Sequence, residues 1–226
     1  MKLYNPEKFL ISIHIPKTAG TSFLLVLEEW FNEKLHKHYF KEREGVMPDK
    51  LDFKNSNTTQ QGVCIHGHFN KNRGFGVKDY YPEAEQFIAV IRDPLELHLS
   101  CYFYNQKLSK NDNWYRNGKK MKEKQLEIDE YLRTTKSFIL NFLPWELTLD
   151  NFQEIISSNF VHLGIAEDMQ KTVDIISEKL NKPKIEVPIT NVSPRTNQPS
   201  QSAIEDFRSR HELEYAIYNY AVELNK

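Results

Sequence analysis

Three short runs constrain the fold more than any other feature of the chain: FLISIHI at Phe9–Ile15, FIAVI at Phe87–Ile91 and FVHLGI at Phe160–Ile165. Each is brief and β-rich, and each reads as a strand. FIAVI is apolar throughout, as a strand covered on both faces should be. Between the runs the apolar spacing changes. Phe23, Leu24, Leu27, Trp30 and Phe31 recur at helical intervals from Thr21 onward, and Met169–Leu180 repeats the pattern. A further brief strand, Val63–Ile65, runs into His66-Gly67-His68. Additional helices are predicted around Ile128–Phe142, at Asp150–Ser157 and over Ser202–Leu224. Strands alternating with helices predict an α/β protein, a three-layer arrangement with a central, mostly parallel sheet flanked by helices.

With 226 residues the chain suits one domain spanning residues 1–226 around one sizeable core. Apolar residues at 39% and charged residues at 27% fit a soluble globular protein. A formal net charge of −1 argues against a general nucleic-acid binder. Only Cys64 and Cys101 are present, too few for a disulfide framework, so a reducing cytosol is expected. The first apolar run ends by Lys17, short of a signal peptide, and no stretch approaches the roughly 20 apolar residues of a membrane anchor. The expectation is a soluble, cytoplasmic protein. Lys41–Gly62 is polar and predicted irregular, with Asn55–Gln61 as its exposed tip. Asn181–Ser200, rich in Pro and Asn, is predicted to be an extended loop. Lys107–Lys124 carries seven basic against two acidic residues around Trp114 and Tyr115, a solvated loop or a surface that attracts an acidic acceptor.

The first strand leads into IHIPKTAGTSF, Ile13–Phe23. A loop between a strand and a helix N-terminus is an anion site, because unpaired N–H groups point outward and the helix dipole adds positive potential. Gly20 permits close backbone approach, Thr21 and Ser22 supply hydroxyls, and Lys17 adds a full charge on a flexible stem. A nucleotide-kinase loop of the form GxxxxGK[ST] would need Lys where this chain has Thr21. Lys17 stands before the glycine instead, and approaches a ligand from another side.

After FIAVI comes IRDPLELHLSCYFY, Ile91–Tyr104. Asp93 is placed to cap a helix with Pro94 at its first position and Glu96 at its third, running to about Leu108. That role accounts for Asp93 better than a magnesium-binding carboxylate does. VCIHGHFN, Val63–Asn70, puts His66 and His68 either side of Gly67. Zinc needs at least a third ligand and no companion motif accompanies this pair.

Taken together, these stretches resemble the sulfotransferases that use 3′-phosphoadenosine 5′-phosphosulfate (PAPS), most closely the heparan sulfate and chondroitin 2-O-sulfotransferase branch. PKTAGTSF resembles the family's 5′-phosphosulfate loop, which implies cofactor contacts from Lys17, Thr18, Ala19, Gly20, Thr21 and Ser22 within a P-loop-like fold. Arg92, followed eight residues later by Ser100, resembles the 3′-phosphate motif, although related motifs often carry a second Arg where this chain has Leu97. HGH stands where that branch carries its own, whose second histidine is regarded as the base; by position this is His68, with His66 assisting. FVHLGIAEDMQ, Phe160–Gln170, resembles the late strand, with Gly164 and Glu167 structural. NVSPRT, Asn191–Thr196, lies where related enzymes close over the cofactor, and Arg195 is a candidate phosphate ligand.

The resemblance implies in-line transfer of a sulfuryl group from PAPS to an acceptor hydroxyl, on a carbohydrate or small metabolite, with no metal required. His68 would take the acceptor proton. Lys17 would stabilise charge on the departing bridging oxygen. Two other readings remain open at this point: a Mg-ATP-dependent P-loop kinase of small molecules, and a nucleotide-binding protein without catalysis.

Overall fold

The computed structural model describes residues 1–53, 59–109, 115–116, 119–120, 126–188 and 197–226. The chain runs β1 (Leu10–Ile13), α1 (Gly20–Phe31), β2 (Leu35–His38), β3 (Cys64–Gly67), α2 (Val77–Tyr80) and β4 (Phe87–Ile91). It continues through α3 (Pro94–Ser109), the two-residue strands β5 (Tyr115–Arg116) and β6 (Lys119–Lys120), α4 (Ile128–Thr134) and α5 (Phe152–Asn159). The last elements are β7 (Phe160–Ile165), α6 (Met169–Leu180), α7 (Gln201–Arg210) and α8 (Glu212–Leu224).

Five strands form one sheet in the order β2-β3-β1-β4-β7, and every neighbouring pair is parallel. β4 and β7 occupy the predicted residues, and both are buried at every position. Period-two alternation divides their side chains between two cores. Leu10, Cys64, Ile88, Val90 and Val161 pack with Phe23, Val26, Leu27 and Trp30 of α1 and with Val173, Ile176 and Leu180 of α6. Ile11, Ile13, Ile65, Phe87, Ala89, Ile91 and Leu163 face the other way. They pack with Val77 and Tyr80 of α2, Phe152 and Ile156 of α5, and Ile217 and Ala221 of α8. Helices therefore cover both faces, giving the three-layer α/β architecture. A third cluster ties α3, α4 and α7 together through Leu95, Leu99, Phe103, Leu132 and Phe207. Among the described residues no helix is long and apolar enough to cross a membrane.

β2 escaped the sequence reading because its LHKH is polar and partly exposed at the sheet edge. The predicted helix over Ile128–Phe142 is a correction: α4 stops at Thr134, Thr135 is extended, and only a single 3₁₀ turn, Ile139–Asn141, follows. Partners distant in sequence hold this break. Glu214 accepts the N–H groups of Phe138 (2.8 Å) and Ile139 (2.6 Å), while Arg210 donates to the carbonyls of Thr135 and Leu132. The predicted Ser202–Leu224 helix is likewise two helices, broken at His211 with no glycine or proline to announce it. The exposed tip expected at Asn55–Gln61 falls largely outside the described residues, as does most of the basic stretch after Ser109.

The order of strands places the site. From β1 the chain passes through α1 to β2 on one side of the sheet, whereas β4 lies on the other. At such a switch point the loops leaving adjacent strands diverge and open a crevice at the carboxyl ends. β1, β3 and β4 deliver the Lys17 loop, His68 and Arg92 to that end.

Candidate active site at the carboxyl ends of three strands

The loop after β1 turns twice through left-handed backbone at residues other than glycine, at Lys17 (φ 71°) and Ala19 (φ 59°). Left-handed residues within a turn curl N–H groups toward a common point. Ala19 begins α1 without a side-chain cap, and no acidic residue stands in the first turn. Ala19 thus offers α1 no capping side chain, and no acidic residue in its first turn offsets the positive end of its dipole. Thr18 behaves differently from expectation: it is 1% exposed and its hydroxyl donates to the Ile15 carbonyl at 2.8 Å. Its side chain shapes the loop, so only its backbone remains for an anion. Thr21 is exposed, whereas Ser22 is buried.

Lys17 and Arg92 converge. The Arg92 guanidinium donates to the Lys17 carbonyl at 3.3 Å, and its remaining nitrogens lie 3.5 Å from Glu96 and 4.0 Å from Glu167. Ion pairs this long at a partly exposed site hold a side chain weakly. The Lys17 ammonium sits 4.2 Å over the Tyr104 ring. Burial pushes the Lys17 amine below its usual range and the Cys101 thiol opposes this; Arg92 and Lys107 push it further down. Ser100 occupies the helix position four residues from both Glu96 and Tyr104, the partners of those two cations. It therefore shares their face of α3. Leu97 is fully buried in the core.

Asp93 caps α3 as predicted, accepting the Glu96 N–H at 2.9 Å. The reciprocal half differs. Asp93's own N–H goes to Glu167 at 3.0 Å, across from β7, while Glu96 turns to Arg92. Glu167 therefore has the structural role expected of it. Gly164 does too, since a Cβ there would lie 2.2 Å from the Thr172 methyl of α6.

The histidines form a larger group than the HGH motif announces. Parallel register sets Ser12 beside His66 and Ile13 beside Gly67, with His38 flanking Gly67 from β2. One residue further along, the same register aligns Tyr39, His68 and His14 in a row. His14 and His68 ring centres are 4.4 Å apart, Tyr39 meets His68 edge-on at 4.8 Å, and the Tyr39 hydroxyl bonds His14 Nδ1 at 3.0 Å. His66 lies parallel to His14 at 5.1 Å, its Nδ1 held by Ser12 Oγ at 2.9 Å. The Nε2 atoms of His66 and His68 are buried and have no hydrogen-bond partner among the described residues. His14 and Tyr39 were not read from the sequence. The readable signal was Ser12-x-His14 on the first strand, matching the two-residue spacing of His66-x-His68.

Two glycines are fixed by this group. A Cβ on Gly20 would lie 1.7 Å from His14 Nε2, so the imidazole rests directly on the first residue of α1. Gly20's close approach is therefore to His14, which joins the loop after β1 to the His66–His68 pair. A Cβ on Gly67 would lie 1.9 Å from the His38 carbonyl oxygen, which also accepts the His68 N–H at 3.1 Å. The glycine of HGH is required by the adjacent backbone.

Burial, with like-charge repulsion from His14 and Arg73, brings His68 down to about 3. Burial alone brings His14 to about 4 and, with its histidine neighbours, holds His66 well below its ordinary value. All three rings are therefore neutral near pH 7, and lower than the value near 6.5 that an unperturbed imidazole suggested. Of the sequence-derived candidates, Lys17–Ser22, His66, His68, Arg92 and Ser100 all belong to elements meeting at this end of the sheet. Arg195 lies outside the described residues. No family model and no curated protein matches the chain.

Proposed function

We propose that the protein is a PAPS-dependent O-sulfotransferase. One observation carries the reading: an uncapped, acid-free helix start with Lys17 and Arg92 beside it is joined through His14 to neutral imidazoles with bare Nε2 atoms. An anion cradle next to a proton acceptor is what sulfuryl transfer from a nucleotide to a hydroxyl needs.

The acceptor oxygen attacks sulfur as the bond from sulfur to the bridging phosphate oxygen breaks. His68 Nε2 takes the hydroxyl proton, and the electron pair of the broken bond leaves on 3′-phosphoadenosine 5′-phosphate. Lys17 and the first N–H groups of α1 stabilise that developing charge, while Arg92 and Ser100 hold the 3′-phosphate. As in loose phosphoryl transfer, positioning and charge stabilisation do most of the work. His66, held by Ser12, keeps the adjacent ring packed. The anionic cofactor favours the protonated forms of Lys17 and His68, raising both from their depressed values. The acceptor is a hydroxyl compound, a carbohydrate or a small metabolite.

Calorimetry with 3′-phosphoadenosine 5′-phosphate and with ATP, each with and without Mg²⁺, tests the cofactor. Metal-independent binding of the former is expected; a preference for Mg-ATP sinks the proposal. With labelled PAPS and a panel of acceptors, His68→Ala should abolish transfer while leaving cofactor affinity near normal. Lys17→Ala should lower the rate more than the affinity.

A further inference from the structure

We infer that the protein carries a buried site for a zinc-class divalent metal ion, formed by His98, His211 and Glu214 and separate from the transfer chemistry. Among the described residues, one ring nitrogen each of His98 and His211 and a Glu214 carboxylate oxygen all lie within 4.8 Å of one another. The three residues are 1%, 3% and 1% exposed, and His98 Nε2, His211 Nε2 and Glu214 Oε2 have no hydrogen-bond partner among the described residues. Three buried polar atoms left without partners away from water are unfavourable unless something joins them. A proton on His211 would pair it with Glu214 at 3.9 Å, a long contact, and would leave His98 Nε2 unsatisfied. A cation between the three satisfies them all.

The far side of each ligand is already oriented for this. His211 Nδ1 lies 2.8 Å from the Phe207 carbonyl, which can only accept, so the proton is on Nδ1 and the Nε2 lone pair faces the cluster. His98 Nδ1 lies 3.2 Å from both the Tyr131 and Thr135 hydroxyls. Glu214 Oε1 accepts from the Phe138 and Ile139 N–H groups, leaving Oε2 to face the imidazoles. Partners of this kind are what set tautomer and ring orientation at metal sites. Two imidazoles and one carboxylate suit zinc, whereas Mg²⁺ and Ca²⁺ prefer oxygen alone. Tetrahedral ligands about 2.1 Å from zinc stand about 3.4 Å apart, so the His211–Glu214 pair closes by about 0.5 Å and no pair by more than about 1.4 Å.

The ligands belong to different elements. His98 is on α3, His211 is the joint between α7 and α8, and Glu214 is in the first turn of α8. His98 precedes Ser100 by two residues, about 200° around the helix, so the metal would sit behind the face carrying Ser100. Bound there, it cross-links α3 to the α7–α8 corner and fixes the helix that presents Ser100.

Protein purified without a metal-affinity tag should, after dialysis against ZnCl₂ and removal of free metal, retain one equivalent of zinc by elemental analysis. Co²⁺ should give the intense visible absorption of a tetrahedral site. Zinc at about a hundredfold over its Kd should raise Tm by about 5 °C. His98→Phe and Glu214→Gln should lose the equivalent and the shift, whereas His68→Gln should keep both. Wild-type protein that retains well under one equivalent and shows no Tm shift overturns the inference without recourse to any variant. So does zinc that survives in His98→Phe but is lost from His68→Gln. Neither outcome bears on whether 3′-phosphoadenosine 5′-phosphate binds.

Discussion

Lowering the pH from about 7.5 to about 5 should destabilise this protein through imidazoles it buries uncharged. His68 titrates at about 3, and His14 and His162 at about 4, each displaced chiefly by burial. In the unfolded chain all three return to about 6.5 and take up protons as the pH falls through that value. The unfolded state then binds more protons than the folded one, so stability is fully present above about pH 6.5. It is lost progressively down to the folded values near 4 and 3. At about pH 5 each ring is almost fully protonated when unfolded and neutral when folded, which costs about 2 kcal/mol per residue. His14 and His68 touch, yet their mutual repulsion does not alter the sum, because neither is charged in the folded protein at this pH. Partial exposure of these two trims the total for the three from about 6 to about 4 kcal/mol. His66, fully buried and shifted in the same direction, adds to it. A whole domain is stable by only about 5–15 kcal/mol, so the effect is large. Buried Glu214, its carboxyl raised by burial, works in the opposite sense as the pH falls. Urea unfolding followed by tryptophan fluorescence at both pH values measures the difference. A change under about 1 kcal/mol would refute the reasoning. Imidazole NMR titrations with midpoints near 6.5 would show that the rings are solvated.

Three further expectations concern the site. Gly67→Ala drives a methyl group into the His38 carbonyl 1.9 Å away, where no flexible side chain can yield; it should cost about 3 kcal/mol or more by urea unfolding and displace His68. An unchanged urea midpoint contradicts the β2–β3 geometry. Glu167→Gln keeps an acceptor for the Asp93 N–H but removes a carboxylate from Arg92. Stability should change by under about 1 kcal/mol while affinity for 3′-phosphoadenosine 5′-phosphate rises, and weaker calorimetric binding would place Arg92 elsewhere. Binding of that nucleotide should raise the titration midpoints of Lys17 and His68, because the anion favours their protonated forms. Side-chain NMR titrations with and without the nucleotide read both midpoints, and a downward displacement would contradict the assigned contacts.

The sheet was legible because its evidence is local. FIAVI and FVHLGI need cover on both faces wherever they lie, so β4 and β7 emerge at the predicted residues. The cap of α3 was equally legible, since Asp93 and Glu96 are three residues apart. Polar β2 carried no such signature, and its pairing with β3 was decided by the sheet.

The candidate site divides along the same line. The sequence by itself determined the turn after β1, the His66–His68 pair and the position of Arg92, because each depends on residues adjacent in the chain. Tertiary structure decided what these groups touch. Parallel register brought His14 and Tyr39 to His68, and Glu167 displaced Glu96 from the reciprocal half of the cap. Glu214 and Arg210 ended a helix some seventy residues away in sequence and, with His98 and His211, gathered three bare ligand atoms in the interior. Burial then moved the histidines from titrating near neutrality to being held neutral. Desolvation depends on everything packed around a ring, and most of what surrounds these rings is remote in the chain.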